Sequence, residues 1–130
     1  MTMTTFLRNA LLADAVATTA TGVLLAAAST WLEAWLNIPA ALLFYAGALL
    51  IPFAAFVLYL AAQRHVSRAA VWTVVVCNAL WAIDSILLLT TGWIAPSMLG
   101  YTFVIAQALV VAAFCELQFA GLRRTVVVAE

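Results

Sequence analysis

Lysine is absent from this 130-residue chain, histidine occurs once and cysteine only twice. Each scarcity removes a class of function. Five basic residues, all arginine, face five acidic ones for a formal net charge of zero. No basic surface exists to neutralise a phosphate backbone, which excludes nucleic acid as a partner. The single histidine, His65, cannot supply bis-histidine haem ligation or a three-histidine zinc site, so no cofactor or metal is expected. It falls in a short polar break and is expected to be a solvated loop residue. Cys77 and Cys115 stand alone inside apolar runs with no Cys-x-x-Cys pair, and buried packing is their expected role. A phosphate-cradling glycine loop and a Ser/His/Asp set at workable depth are also missing. The chain is not expected to be an enzyme.

What the sequence has in excess is apolar surface. Hydrophobic residues make up 68% of the chain and charged ones 8%, with a mean hydropathy of +1.19. A soluble domain carries roughly 25% charged residues. A water-soluble chain of this size could not hide so much apolar area, because small domains leave much of their surface outside. A lipid bilayer is the partner that composition demands.

Four apolar runs follow one another, at about 6–29, 40–62, 69–91 and 98–122. Each is close to the ~20 residues that cross ~30 Å of hydrocarbon. Period-two alternation is absent, which excludes a β-barrel, and in lipid such runs must close their own backbone hydrogen bonds as helices. The expected fold is an all-α integral membrane protein: one domain over 1–130, a four-helix bundle running up-down-up-down, since short loops force neighbours antiparallel. Ala26-Ala27-Ala28 before Ser29 looks superficially like a signal-peptide cleavage site. The stretch ahead of it is too long and is interrupted by Asp14, Thr18, Thr19 and Thr21, so it is expected to stay as a helix.

Orientation comes from the arginines. Arg8 precedes the first run, Arg64 and Arg68 lie between the second and third, and Arg123 and Arg124 follow the fourth. All five fall on one side if the helices alternate, and the positive-inside rule makes that side cytoplasmic, with both termini. Trp31, Trp35, Trp93 and Tyr101 mark the outer interface, and Tyr59 and Trp72 the inner one. Trp31-Leu32-Glu33-Ala34-Trp35 in the outer loop 30–39 looks like an interfacial turn of helix, with a simple aromatic anchor as the preferred expectation. The alanine-rich composition resembles that of bacterial membrane proteins, so the expected location is a cell membrane, crossed several times, of the bacterial inner-membrane kind.

Ala13, Ala17 and Thr21, at four-residue spacing, are expected to let another helix approach closely, with Gly47 and a kink at Pro52 in the second helix. Polar side chains at membrane depth are the candidates for function. At 1.5 Å per residue, Asp14 lies about 9 Å and Glu116 about 10 Å from the cytoplasmic side, and Asp84 about 12 Å from the outer side. Three tiers result: Asp14 with Glu116, then Thr18 with Asn78, then Thr21 with Asp84 and Gln107. Gln107 and Gln118 are eleven residues apart and share a helix face, from which Glu116 points away. Helix four therefore cannot aim all three into one pore, and Glu116 either faces another subunit or interrupts the path. A carboxylate at this depth costs several kcal/mol, so it must be paired, protonated or functional. Asp14 and Glu116 are expected to reach an arginine or each other, and Asp84 to bond Gln107 or Thr21. Two functions remain open: a non-catalytic module that forms a homo-oligomer or packs on a larger membrane partner, or a small transporter or channel for protons, an ion or a polar solute.

The arginine pattern makes one direct prediction. Reporter fusions at Glu130 and within 64–68 should register as cytoplasmic, and one within 30–39 as external. An external Glu130 overturns the orientation.

Overall fold

The computed structural model describes residues 2–129, with side chains described for 2–123. Five helices account for most of them: α1 (Thr5–Ala27), α2 (Ser29–Leu36), α3 (Ala40–Ala61), α4 (Arg68–Thr90) and α5 (Met98–Ala129). No strand is present among the described residues apart from an isolated bridge between Thr2 and His65. Four stretches are long and apolar enough to cross a membrane: α1, α3, α4 and the Met98–Arg123 part of α5. They match the four apolar runs within one or two residues, except that α5 continues past 122 to Ala129. Arg124 has its side chain outside the described residues.

The expected outer loop differs from the structure. Its first half is helix α2, ended by Asn37 in the left-handed conformation (φ 53°). A helix there makes use of its own polar ends. Glu33 Oε2 accepts the Ala40 backbone N–H at 3.0 Å, satisfying one of the free donors at the start of α3. Leu32 and Leu36 turn inward, while Trp31 and Trp35 stay exposed with ring centroids 6.0 Å apart. The aromatic anchor is thus carried on a helix.

Helix α1 packs against α3 and, less closely, α5, while α4 packs on α5. The buried positions of α1, Leu7, Leu11, Asp14, Thr18, Gly22 and Leu25, recur every three or four residues. On α3 the buried residues Leu43, Gly47, Leu50, Ala54, Val57 and Ala61 alternate four and three apart, the seam of a left-handed helix pair. These two seams meet most closely at Gly22 and Gly47. A Cβ added to Gly47 would lie 2.6 Å from Gly22 O and 2.6 Å from Ala26 N, so only glycine permits this backbone approach. The small residues that face α3 at this approach are therefore Gly22 and Ala26. The expected stripe Ala13, Ala17 and Thr21 is offset by one residue and Ala13 is exposed. Pro52 stands inside α3 without ending it.

The arginines described gather at one end. Met3 N–H donates to Arg64 O at 2.8 Å, and the Arg8 guanidinium donates to Ala61 O (3.0 Å) and Gln63 O (3.1 Å), capping the last carbonyls of α3. Met3, Leu7, Leu11, Val57, Val71 and Leu122 form an apolar plug at this end. A second apolar cluster, including Leu25, Leu36, Leu43 and Val104, fills the opposite end. There Ser97 N–H donates to Leu36 O at 3.0 Å and Asn37 Nδ2 to Ala95 O at 2.6 Å.

Gly47→Leu should force α1 and α3 apart and lower stability by about 1–3 kcal/mol, the usual cost of overpacking. Ala48→Leu, on the exposed side of the same helix, should be nearly neutral. Thermal unfolding in detergent micelles measures both, and equal effects would refute the glycine contact.

Candidate functional site

Asp14, Thr18, Asn78 and Gln118 are the buried polar side chains of the described structure. They come from three helices, and each is on the inward stripe of its own. Asp14 is 1% exposed, far too buried to be solvated, and its two oxygens collect three bonds. Thr18 Oγ1, one helical turn along α1, donates to Oδ1 at 2.8 Å. Asn78 Nδ2 from α4 and Gln118 Nε2 from α5 both donate to Oδ2, at 2.8 and 2.7 Å. Asn78 uses its second proton on Gln118 Oε1 at 2.8 Å, which closes the ring. No buried polar side-chain atom is left without a partner among the described residues. All three donors are neutral, and the ring cross-links α1, α4 and α5 at about 1 kcal/mol per bond.

This arrangement corrects the expected tiers. Asp14 joins Thr18 and Asn78, and its third partner is Gln118 rather than Glu116. The latter is exposed on α5 with no partner among the described residues. Neither acid reaches an arginine side chain among the described residues. Arg8 is committed to the α3 carbonyls, and the Arg123 guanidinium lies 5.7 Å from the Phe119 ring centroid. The signal for Gln118 was its eleven-residue spacing from Gln107, which puts both amides on the inward face of α5. Gln107 in turn does not bond Asp84. Its Oε1 accepts the Trp81 indole N–H at 2.8 Å and its Nε2 donates to Val104 O at 2.9 Å. Thr21 is half-buried and bonds neither.

Asp84 stands in a different place. Helices α3 and α4 scarcely touch, since α3 leans on α1 while α4 leans on α5. The gap is a cleft made of two cavities of about 410 and 530 Å³ that share Leu49, Trp81 and Asp84. Its far wall includes Thr18 and Asn78, the edge of the buried ring. A smaller cavity of about 130 Å³ borders Thr18, Thr21 and Gln107. Asp84 is exposed in the cleft and bonds no described residue. Beyond Thr18 and Asn78, toward the arginine end, Asp14 and Gln118 are enclosed and the apolar plug begins. Cys77, expected to be buried, is exposed on the cleft rim, and Cys115 Sγ donates to Val75 O at 3.4 Å. His65 is exposed in its loop, as expected, with only its backbone bridged to Thr2.

Comparison with known proteins finds no matching family model, curated protein or solved structure.

Asp14→Leu should orphan one N–H of Asn78 and one of Gln118, costing about 1–3 kcal/mol for each. Asp14→Asn should cost far less, because its carbonyl can take the Oδ2 position while its amide donates to the Thr18 hydroxyl. Unfolding in micelles distinguishes them, and equal losses would mean that the ring does not hold α4 and α5 to α1.

Proposed function

We propose that this chain is a multi-pass membrane module without catalytic activity that associates with further copies of itself. The observation that carries the reading is Glu116, an exposed carboxyl on α5 with no partner among the described residues. Helix α5 is the span least covered by the others, with 17% of its window buried against 39% for α1. A lone acid facing hydrocarbon costs several kcal/mol, and a protein contact offsets that. Around Glu116 runs a seam of exposed or half-buried residues alternating four and three apart: Thr102, Ala106, Leu109, Ala113, Glu116, Ala120 and Arg123. Alanine recurs every seven residues in it, at 106, 113 and 120. Small residues at that spacing let two helices approach closely in lipid. A twofold axis along the membrane normal would set two copies of α5 together at equal depth. Glu116 then meets its counterpart, and two carboxyls hydrogen-bond when one holds a proton.

The same reading takes the helices to run up-down-up-down, with the arginine end and both termini in the cytoplasm, and the bilayer to be a bacterial inner membrane. Its support is the grouping of Arg8, Arg64, Arg68 and Arg123 and the exposed Trp31, Trp35 and Trp93 at the other end. The alternative, conduction through Asp14, Asp84 and Glu116, has less support. Those acids occupy a closed ring, a side cleft and an outer helix face, with an apolar plug toward the arginine end.

In phosphatidylcholine vesicles, energy transfer between labelled copies should report a dimer. Ala113→Phe should weaken association about tenfold or more, whereas Val110→Phe, on another exposed face of α5, should not. A monomeric wild-type chain, or equal effects of the two substitutions, would defeat the proposal.

A further inference from the structure

The cleft between α3 and α4 is separate from the α5 seam, and its chemistry is one-sided. Asp84 is the single charged residue lining either cavity. The other walls are apolar or aromatic, including Tyr45, Leu49, Phe53, Phe56 and Trp81. The polar neighbours are uncharged, and two of them are committed elsewhere: Trp81 to Gln107 and Ser85 to Trp81 O. No arginine side chain among the described residues compensates Asp84, because Arg8, Arg64 and Arg68 gather at the opposite end of the bundle and Arg123 lies over Phe119. A parallel second copy brings its arginines to that same far end. The cleft therefore holds an uncompensated acid in a low-dielectric wall, where an added positive charge gains most and a negative one is repelled.

Size selects among cationic occupants. Volumes of about 410 and 530 Å³ lie inside the range of small-molecule sites. A membrane-spanning helix, taken as a cylinder 30 Å long and 10 Å across, needs roughly 2,400 Å³. A neutral acyl chain would fill the space but leave Asp84 as it is. A hydrated inorganic ion would match Asp84 and waste the aromatic walls, whereas an organic cation uses both, since aromatic faces attract cations as well. The enclosed ring and the apolar plug close the cleft toward the arginine end, so an occupant entering from the lipid side binds without a path through.

We propose that the α3–α4 cleft binds a lipophilic organic monocation, its charge against the Asp84 carboxylate and its apolar groups among Leu49, Phe53, Phe56 and Trp81. The probe is tetraphenylphosphonium, added to the full chain in phosphatidylcholine nanodiscs and measured by equilibrium dialysis against empty discs. Saturable binding is expected, at least about tenfold tighter than that of neutral triphenylphosphine oxide. Asp84→Asn should weaken it about tenfold or more with the helical circular dichroism unchanged. Asp84→Glu should retain binding, and Glu33→Gln, which removes a different exposed carboxyl, should leave it unaltered. Leu49→Trp, which fills the cleft but keeps the acid, should abolish it. Absence of saturable binding, equal affinity for the neutral compound, or full binding by Asp84→Asn overturns the proposal. If Asp84→Asn does not fold, the Leu49→Trp result decides: binding that survives a filled cleft refutes the site.

Discussion

Helix α1 has to satisfy two unlike neighbours, and most of the architecture depends on how it does so. Toward α3 it offers glycine, so that two backbones come within a side chain's width of each other at Gly22 and Gly47. Toward α4 and α5 it offers Asp14 and Thr18, whose oxygens must be bonded because nothing in a membrane interior will solvate them. Close packing on one side and a hydrogen-bonded ring on the other place α3 and α4 on different flanks of the same helix. They are left apart for that reason, and the cleft that carries Asp84 is the space so created.

Three acids within the spans thus come to very different surroundings. Asp14 is wrapped by three neutral donors from three helices, which suits a fastening. Asp84 and Glu116 are exposed to whatever adjoins the protein, one in a concave aromatic wall and the other on a straight alanine seam. Shape decides which kind of neighbour each can accept, since a seam matches another helix and a cleft of a few hundred Å³ matches a small molecule.

Much of this could be read from the residues, and what could not has identifiable causes. Run lengths placed the four spans, because hydrocarbon thickness sets a number of residues almost independently of packing. Depth along a helix was legible to within about a turn: Thr18 and Asn78 share a level as expected, but Asp14 bonds both of them from the tier it was expected to share with Glu116. Azimuth was not. Whether Glu116 or Gln118 faces inward depends on the rotation of α5 against its partners, and a helix with apolar residues all round gives no moment from which to read it. The Gln107–Gln118 spacing held that information, but only as two residues sharing a face. Glycine contacts suffered in the same way: Ala13, Ala17 and Thr21 have the right spacing, yet the close approach lies one residue over, at Gly22 and Ala26. Helix α2 was hidden in a loop because eight residues with two tryptophans suit either an interfacial turn or an anchor.

The ring around Asp14 also imposes an order on biogenesis. Thr18 emerges with Asp14 in the same helix, so the carboxyl has one partner as soon as α1 forms. Asn78 follows 64 residues later in the chain and Gln118 104 residues later. Meanwhile Arg8 can already grip the carbonyls of Ala61 and Gln63, and Gly22 can already seat against Gly47. The first two spans can therefore dock as a pair while the ribosome is still making the rest. Asp14 then waits in a half-built membrane protein, exposed along the flank that α4 and α5 will cover, and the cost of that exposure draws the last two helices into place.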